Sequence, residues 1–127
     1  MGLDMYLYAH ESGKSNSDSY EIAYWRKANQ IRNWFVNHIP DFSYEDNCGK
    51  YDISEDLLVQ LHDDINSVLE NHQLASVLLP TSSGFFFGST EYDECYFEDL
   101  EHTKEIIEKI FSEFDFAKEQ IYYTEWW

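Results

Sequence analysis

Apolar and polar residues alternate from the start of the chain, with Leu3, Met5, Leu7 and Ala9 set against Asp4, Tyr6, Tyr8 and His10. A period of two puts successive side chains on opposite faces, so this segment predicts a half-buried strand. Residues 10–19 are rich in Ser, Asn, Gly and Asp without apolar periodicity and predict a loop, with Asp18 and Ser19 as candidate helix caps. From Tyr20 to Ile39 the period lengthens: Tyr24, Ala28, Ile31, Phe35 and Ile39 share one helical stripe with Trp34 at its edge, and Pro40 closes the segment. The pattern predicts an amphipathic helix over 20–39.

Residues 41–53 read as turn-rich. Ser54 then stands as the cap of a helix whose Leu57, Leu58, Leu61, Ile65, Val68 and Leu69 form the clearest core stripe in the chain, with Glu55 and Asp56 at the positive end of its dipole. Val77-Leu78-Leu79-Pro80 predicts a short buried strand or helix exit, and Phe85-Phe86-Phe87, bracketed by Gly84 and Gly88, predicts another strand. A third helix carries Leu100, Thr103, Ile107, Ile110, Phe111 and Phe114 inward, and residues 120–127 have the composition of a strand. The expected fold class is α+β, a single acidic domain over 1–127, with three helices packed on a small, mostly antiparallel sheet in the order β-α-α-β-α-β.

Composition supports a folded chain. At 127 residues, 43% hydrophobic and 18% aromatic, it has apolar surface enough for one core. No apolar run approaches the roughly 20 residues that cross a bilayer. Asp4 lies where a signal peptide would carry a base, so a cytoplasmic location is the expectation. Cys48 and Cys95 lie in separate segments and read as packed or idle thiols, and the histidines show no metal-ligand spacing. Neither a metal nor another cofactor is implied.

Charge changes the picture most. Eight bases against 25 acids give a net charge of −17. Between Tyr51 and Thr103 there is no lysine or arginine, while Asp52, Glu55, Asp56, Asp63, Asp64, Glu70, Glu91, Asp93, Glu94, Glu98, Asp99 and Glu101 fall in that span. Such a field repels nucleic acid and anionic lipid and attracts basic protein surfaces, although solubility alone also favours acids. Direct nucleic-acid and membrane binding are therefore disfavoured.

Motifs for chemistry are missing. Gly49-Lys50 lacks a phosphate loop's earlier glycine, a place held by Tyr44, and is followed by Tyr51 in place of Ser or Thr. There is no Gly-x-Ser-x-Gly elbow, and no residue stands out as catalytic. Arg26, Asn29 and Asn33, read as one polar helical face beside Trp25, form a candidate anion-binding set. Asp93, Glu94 and Glu98 gather carboxylates near Tyr92.

Met1-Gly2-Leu3-Asp4-Met5-Tyr6-Leu7, Tyr24-Trp25-Arg26-Lys27-Ala28-Asn29, Asn47-Cys48-Gly49 and the stretch from Gly84 to Glu94 (GFFFGSTEYDE) together resemble a family of small uncharacterised bacterial and phage proteins. The resemblance covers nearly the whole chain and implies a phage or prophage setting without implying a reaction. Relatives end in Ser-Ser-Trp, where this chain has Thr124-Glu125-Trp126-Trp127.

Two functional expectations follow. The first is an acidic protein-binding module, of the kind a phage-encoded anti-defence or anti-CRISPR-like inhibitor would be. It would mimic nucleic acid toward a basic host or defence protein through Asp63, Asp64, Glu91, Asp93, Glu94 and Glu98. The second is a small-ligand binder or minor enzyme using Trp25, Arg26, Asn29 and Tyr92 with Asp93 and Glu94. The pattern fixes no oligomeric state.

Overall fold

The computed structural model describes residues 2–13, 19–40, 42, 49–84 and 88–127. Among these residues the elements run in order β1 (Asp4–Glu11), β2 (Tyr20–Arg26), α1 (Asn29–His38), β3 (Tyr51–Ile53), α2 (Glu55–Glu70), a 3-10 turn (His72–Leu74), α3 (Ala75–Leu78), α4 (Glu94–Glu113) and β4 (Glu119–Trp126). The fold is α+β, and the four strands pair antiparallel in the order β2-β1-β4-β3.

β1 is central, flanked by β2 and β4, with Met5 opposite both Trp25 and Glu125. Its Met5, Leu7 and Ala9, and Leu3 just before it, are fully buried, as their alternation requires. They meet Ile31 and Phe35 of α1, Leu58, Leu61 and Ile65 of α2 and Leu100 and Ile107 of α4 in one core. The helices therefore cover one face of the sheet.

The element order differs from the expected one at β2 and at β3, and of the two alternatives for residues 77–79 the helix exit holds. Residues 20–26, read as the start of a helix, form strand β2, so Trp25 sits on a strand and shares no helix with Trp34. The stripe of Tyr24, Ala28 and Ile31 fits a helical period, but Ala23 and Trp25 also alternate inward, and pairing with β1 decides between the two. Ser19 accordingly precedes a strand and caps no helix; Asp18 lies outside the described residues. Tyr51–Ile53, read as turn, pairs with β4 as the short edge strand β3. Val77-Leu78-Leu79 is the exit of the short helix α3 and not a strand, with Leu79 buried. The predicted strand at 85–87 lies outside the described residues, as does Cys48.

Lys27 makes the corner between β2 and α1. Its φ of +57° is left-handed, its N–H donates to Leu3 O (2.7 Å), and its carbonyl accepts from the Asn29 N–H (3.0 Å). Side-chain bonds then lock the layers. Trp25 Nε1 donates to Thr103 Oγ1 of α4 (2.8 Å), and Trp34 Nε1 donates to Asp64 Oδ2 of α2 (2.9 Å). His62 Nε2 meets Glu108 Oε2 at 2.8 Å across the α2/α4 seam. Among the described residues, no buried side-chain nitrogen or oxygen lacks a hydrogen-bond partner, and no helix is long and apolar enough to cross a membrane.

Candidate functional site: an acidic helix and a charged cleft

α4 begins where the Asp93 side chain accepts the Tyr96 N–H (3.1 Å). Tyr96, Leu100, Thr103, Ile107 and Ile110 face the core. At 3.6 residues per turn, Glu94, Glu98, Glu101, Glu105 and Glu108 fall on the opposite side, and all five are exposed. The glutamates thus form one ridge about 21 Å long, at 1.5 Å rise per residue. Carboxylates recur about every 5 Å, somewhat sparser than the about 3.4 Å per phosphate of one DNA strand. On the neighbouring α2, Glu55, Asp56, Asp63 and Glu70 are exposed as well.

The anticipated acidic residues divide. Asp63, Glu91, Glu94 and Glu98 are exposed, but Asp64 is half-buried and accepts the Trp34 indole, while Asp93 is occupied as the cap of α4. Glu101, Glu105 and Glu108 continue the ridge. Sequence reasoning left them out of the set, although the spacing of three and four residues from Glu94 and Glu98 carries the signal.

The second candidate set also rearranges. Arg26 ends a strand, so Arg26, Asn29 and Asn33 share no helical face. Trp25 is buried with its indole bonded to Thr103. Asn29 is buried too: its Nδ2 donates to Ser89 O (2.9 Å) and its Oδ1 accepts from the Ser82 N–H (3.0 Å), pinning residues 82 and 89 to the start of α1. Tyr92 is exposed, and its hydroxyl accepts the Thr81 N–H (3.3 Å).

Arg26 does open into a cleft of about 290 Å³, together with Lys27, Gln30, Glu91, Asp93 and Asp99. Burial pushes the Asp99 carboxyl above its ordinary range, partly offset by a hydrogen bond from Gln30 Nε2 (3.4 Å). Cys95, exposed beside it, has its thiol pushed up by the Asp93 carboxylate, which disfavours a reactive thiolate. Among the described residues no group of three or more His, Cys, Asp or Glu is placed to hold a metal ion.

The fold and these surfaces define a small two-layer α+β protein with an acidic helical side. No family model, curated protein or solved structure matches this chain.

Proposed function

We propose that this protein is an acidic binding module whose helical side engages the basic, nucleic-acid-binding surface of a protein partner, as a phage-encoded inhibitor of a host or defence protein would. The observation that carries the reading is the ridge of Glu94, Glu98, Glu101, Glu105 and Glu108, set opposite the core stripe of α4. Carboxylates in a row on a rigid helix meet lysines and arginines that otherwise grip phosphates, and the net charge of −17 steers such a partner from a distance. The test is capture of nucleic-acid-binding proteins from bacterial lysate on the immobilised protein, with duplex DNA as competitor. Bound proteins should be displaced by DNA and by raised salt. A variant with Glu98, Glu101, Glu105 and Glu108 changed to Gln should retain less than a tenth of the capture while keeping the native circular-dichroism spectrum. Equal capture by that variant removes the reading.

The cleft at Arg26 favours a second reading, a small ligand carrying both an anionic and a cationic group. Arg26 and Lys27 offer positive charge and Glu91, Asp93 and Asp99 negative charge around one opening. Lys27, moreover, keeps a left-handed backbone that costs about 1–2 kcal/mol for a residue with a side chain. A thermal-shift screen of free amino acids and phosphorylated amines tests it: a hit should vanish in Arg26→Ala, and a screen without hits counts against it.

A further inference from the structure

The face of the sheet turned away from the helices has a character of its own. Register places Tyr24 beside Tyr6, and Tyr8 beside Tyr122. Their rings form a continuous row with centroid separations of 5.2 Å (Tyr24–Tyr6), 5.7 Å (Tyr6–Tyr8) and 5.5 Å (Tyr8–Tyr122, stacked). Trp126, 62% exposed, stands on the same face opposite Asp4. Tyr122 is buried, its hydroxyl bonded to Ser19 Oγ at 2.9 Å, Tyr6 and Tyr8 are half-buried, and a cleft of about 490 Å³ opens among Tyr6, Tyr8, Tyr122, Trp126 and Lys50.

We propose that this aromatic face is a docking surface for a cationic side chain, an arginine or lysine projecting from a basic protein partner, held over the Tyr6, Tyr8 and Trp126 rings. Two observations select a cation. The face already binds one from its own chain, because Lys50 Nζ sits 5.5 Å above the Tyr122 ring centre. Carboxylates also stand in the same register rows, Asp4 opposite Trp126, Glu21 opposite Tyr8 and Asp52 opposite Tyr122. A ring face is the negative part of an aromatic quadrupole, and a carboxylate alongside adds to the attraction for a guanidinium. The anionic phosphate of a nucleotide would instead meet the whole chain's charge of −17. Arg26 stands in the same row but across Asp4 from Trp126, on β2, which leaves the β1–β4 half of the face, around Tyr6, Tyr8 and Trp126, for the incoming group.

This surface lies on the other side of the sheet from the α4 ridge, so the two are tested separately. The experiment titrates the protein with a tri-arginine amide, its citrulline counterpart and uridine monophosphate, following the Trp126 indole and the tyrosine ring resonances by NMR. Saturable shifts at Trp126, Tyr6 and Tyr8 with the arginine peptide, at least tenfold weaker with citrulline, are expected. Trp126→Leu and Tyr8→Leu should each weaken binding about threefold to tenfold, the range of a partly desolvated cation–π contact; Trp126→Leu, being exposed, keeps the fold as a control. The ridge variant with Gln at 98, 101, 105 and 108 should still show the shifts at the face. Equal affinity for citrulline, shifts produced by uridine monophosphate in place of arginine, or concentration-dependent dimerisation through this face would each overturn the proposal.

Discussion

Glu125 is a carboxylate taken almost wholly out of water, and its surroundings show the conditions under which that is tolerable. Arg32 grips it through Nε (3.0 Å) and Nη2 (2.9 Å), the Tyr123 hydroxyl donates at 2.6 Å and the Trp127 indole at 2.7 Å. Burial, and then the Glu125 carboxylate, raise the Tyr123 phenol well above its ordinary value, so it remains a donor at any physiological pH. Glu125→Ala leaves the Arg32 guanidinium buried without this partner and should cost about 3–5 kcal/mol in urea denaturation. The pair Arg32→Met with Glu125→Leu should cost less than either single change, because no lone charge remains. A second residue-scale expectation concerns alkali. The Tyr24 hydroxyl donates to Asp4 Oδ1 at 2.6 Å, and this bond is the first cause holding its phenol up to about 12. The folded state thus keeps that proton where the unfolded chain, near 10, has released it. The bond's contribution is whole below pH 10 and is lost as pH rises from 10 through 12. Urea midpoints across that window should fall more steeply in the native protein than in Asp4→Asn, and tyrosinate absorbance should place Tyr24 late in the titration.

At the scale of elements, the helices with strong caps were the most legible. Ser54 accepts the Leu57 N–H at 3.1 Å, as its position before Glu55 and Asp56 led one to expect, and Ser54→Ala should cost about 1 kcal/mol by denaturant titration. The edge strands were not legible, for different reasons. β3 is three residues long, too short to display any period. β2 carries both periods at once, and the irregular pairing between Leu7 and Tyr8 makes Glu21 and Ala23 flank an extra Ile22, which blurs its alternation. The corner that follows was hidden because nothing in a lysine announces a left-handed backbone. Gly88 depends on that corner. Its φ is +88°, and a Cβ built on it would stand 3.0 Å from Lys27 Cβ and 3.2 Å from Lys27 O. Gly88→Ala should therefore destabilise by more than about 1 kcal/mol and shift the resonances of the cleft residues Arg26 and Gln30.

Across the whole molecule, the two layers separate two kinds of surface, an acidic ridge on the outer side of the helices and a row of aromatic rings on the far side of the sheet. The acids were legible as a lysine-free and arginine-free span, but their arrangement was not, since charge counting does not distinguish exposed Glu98 from Asp64, which is committed to Trp34. The rings were present as the alternate positions Tyr6 and Tyr8 of the first strand, yet their neighbours Tyr24 and Tyr122 join them only through the strand order. Self-repulsion of a net −17 charge should make the fold salt-dependent, with the melting temperature rising between 10 mM and 500 mM sodium chloride and the ridge variant rising less. The strand order has one more consequence, for synthesis. β4, the last of the described strands in chain order, lies between β1 and β3, so the first strand waits for residues 119–126 before the middle of this sheet exists. A growing chain can pair β1 with β2 and form α1 and α2 early, but that half-sheet still lacks the strand that joins β1 to β3. Completion of the sheet therefore waits almost to residue 126, and a nascent chain halted before Glu119 should be cleaved by protease faster than one extended past Trp126.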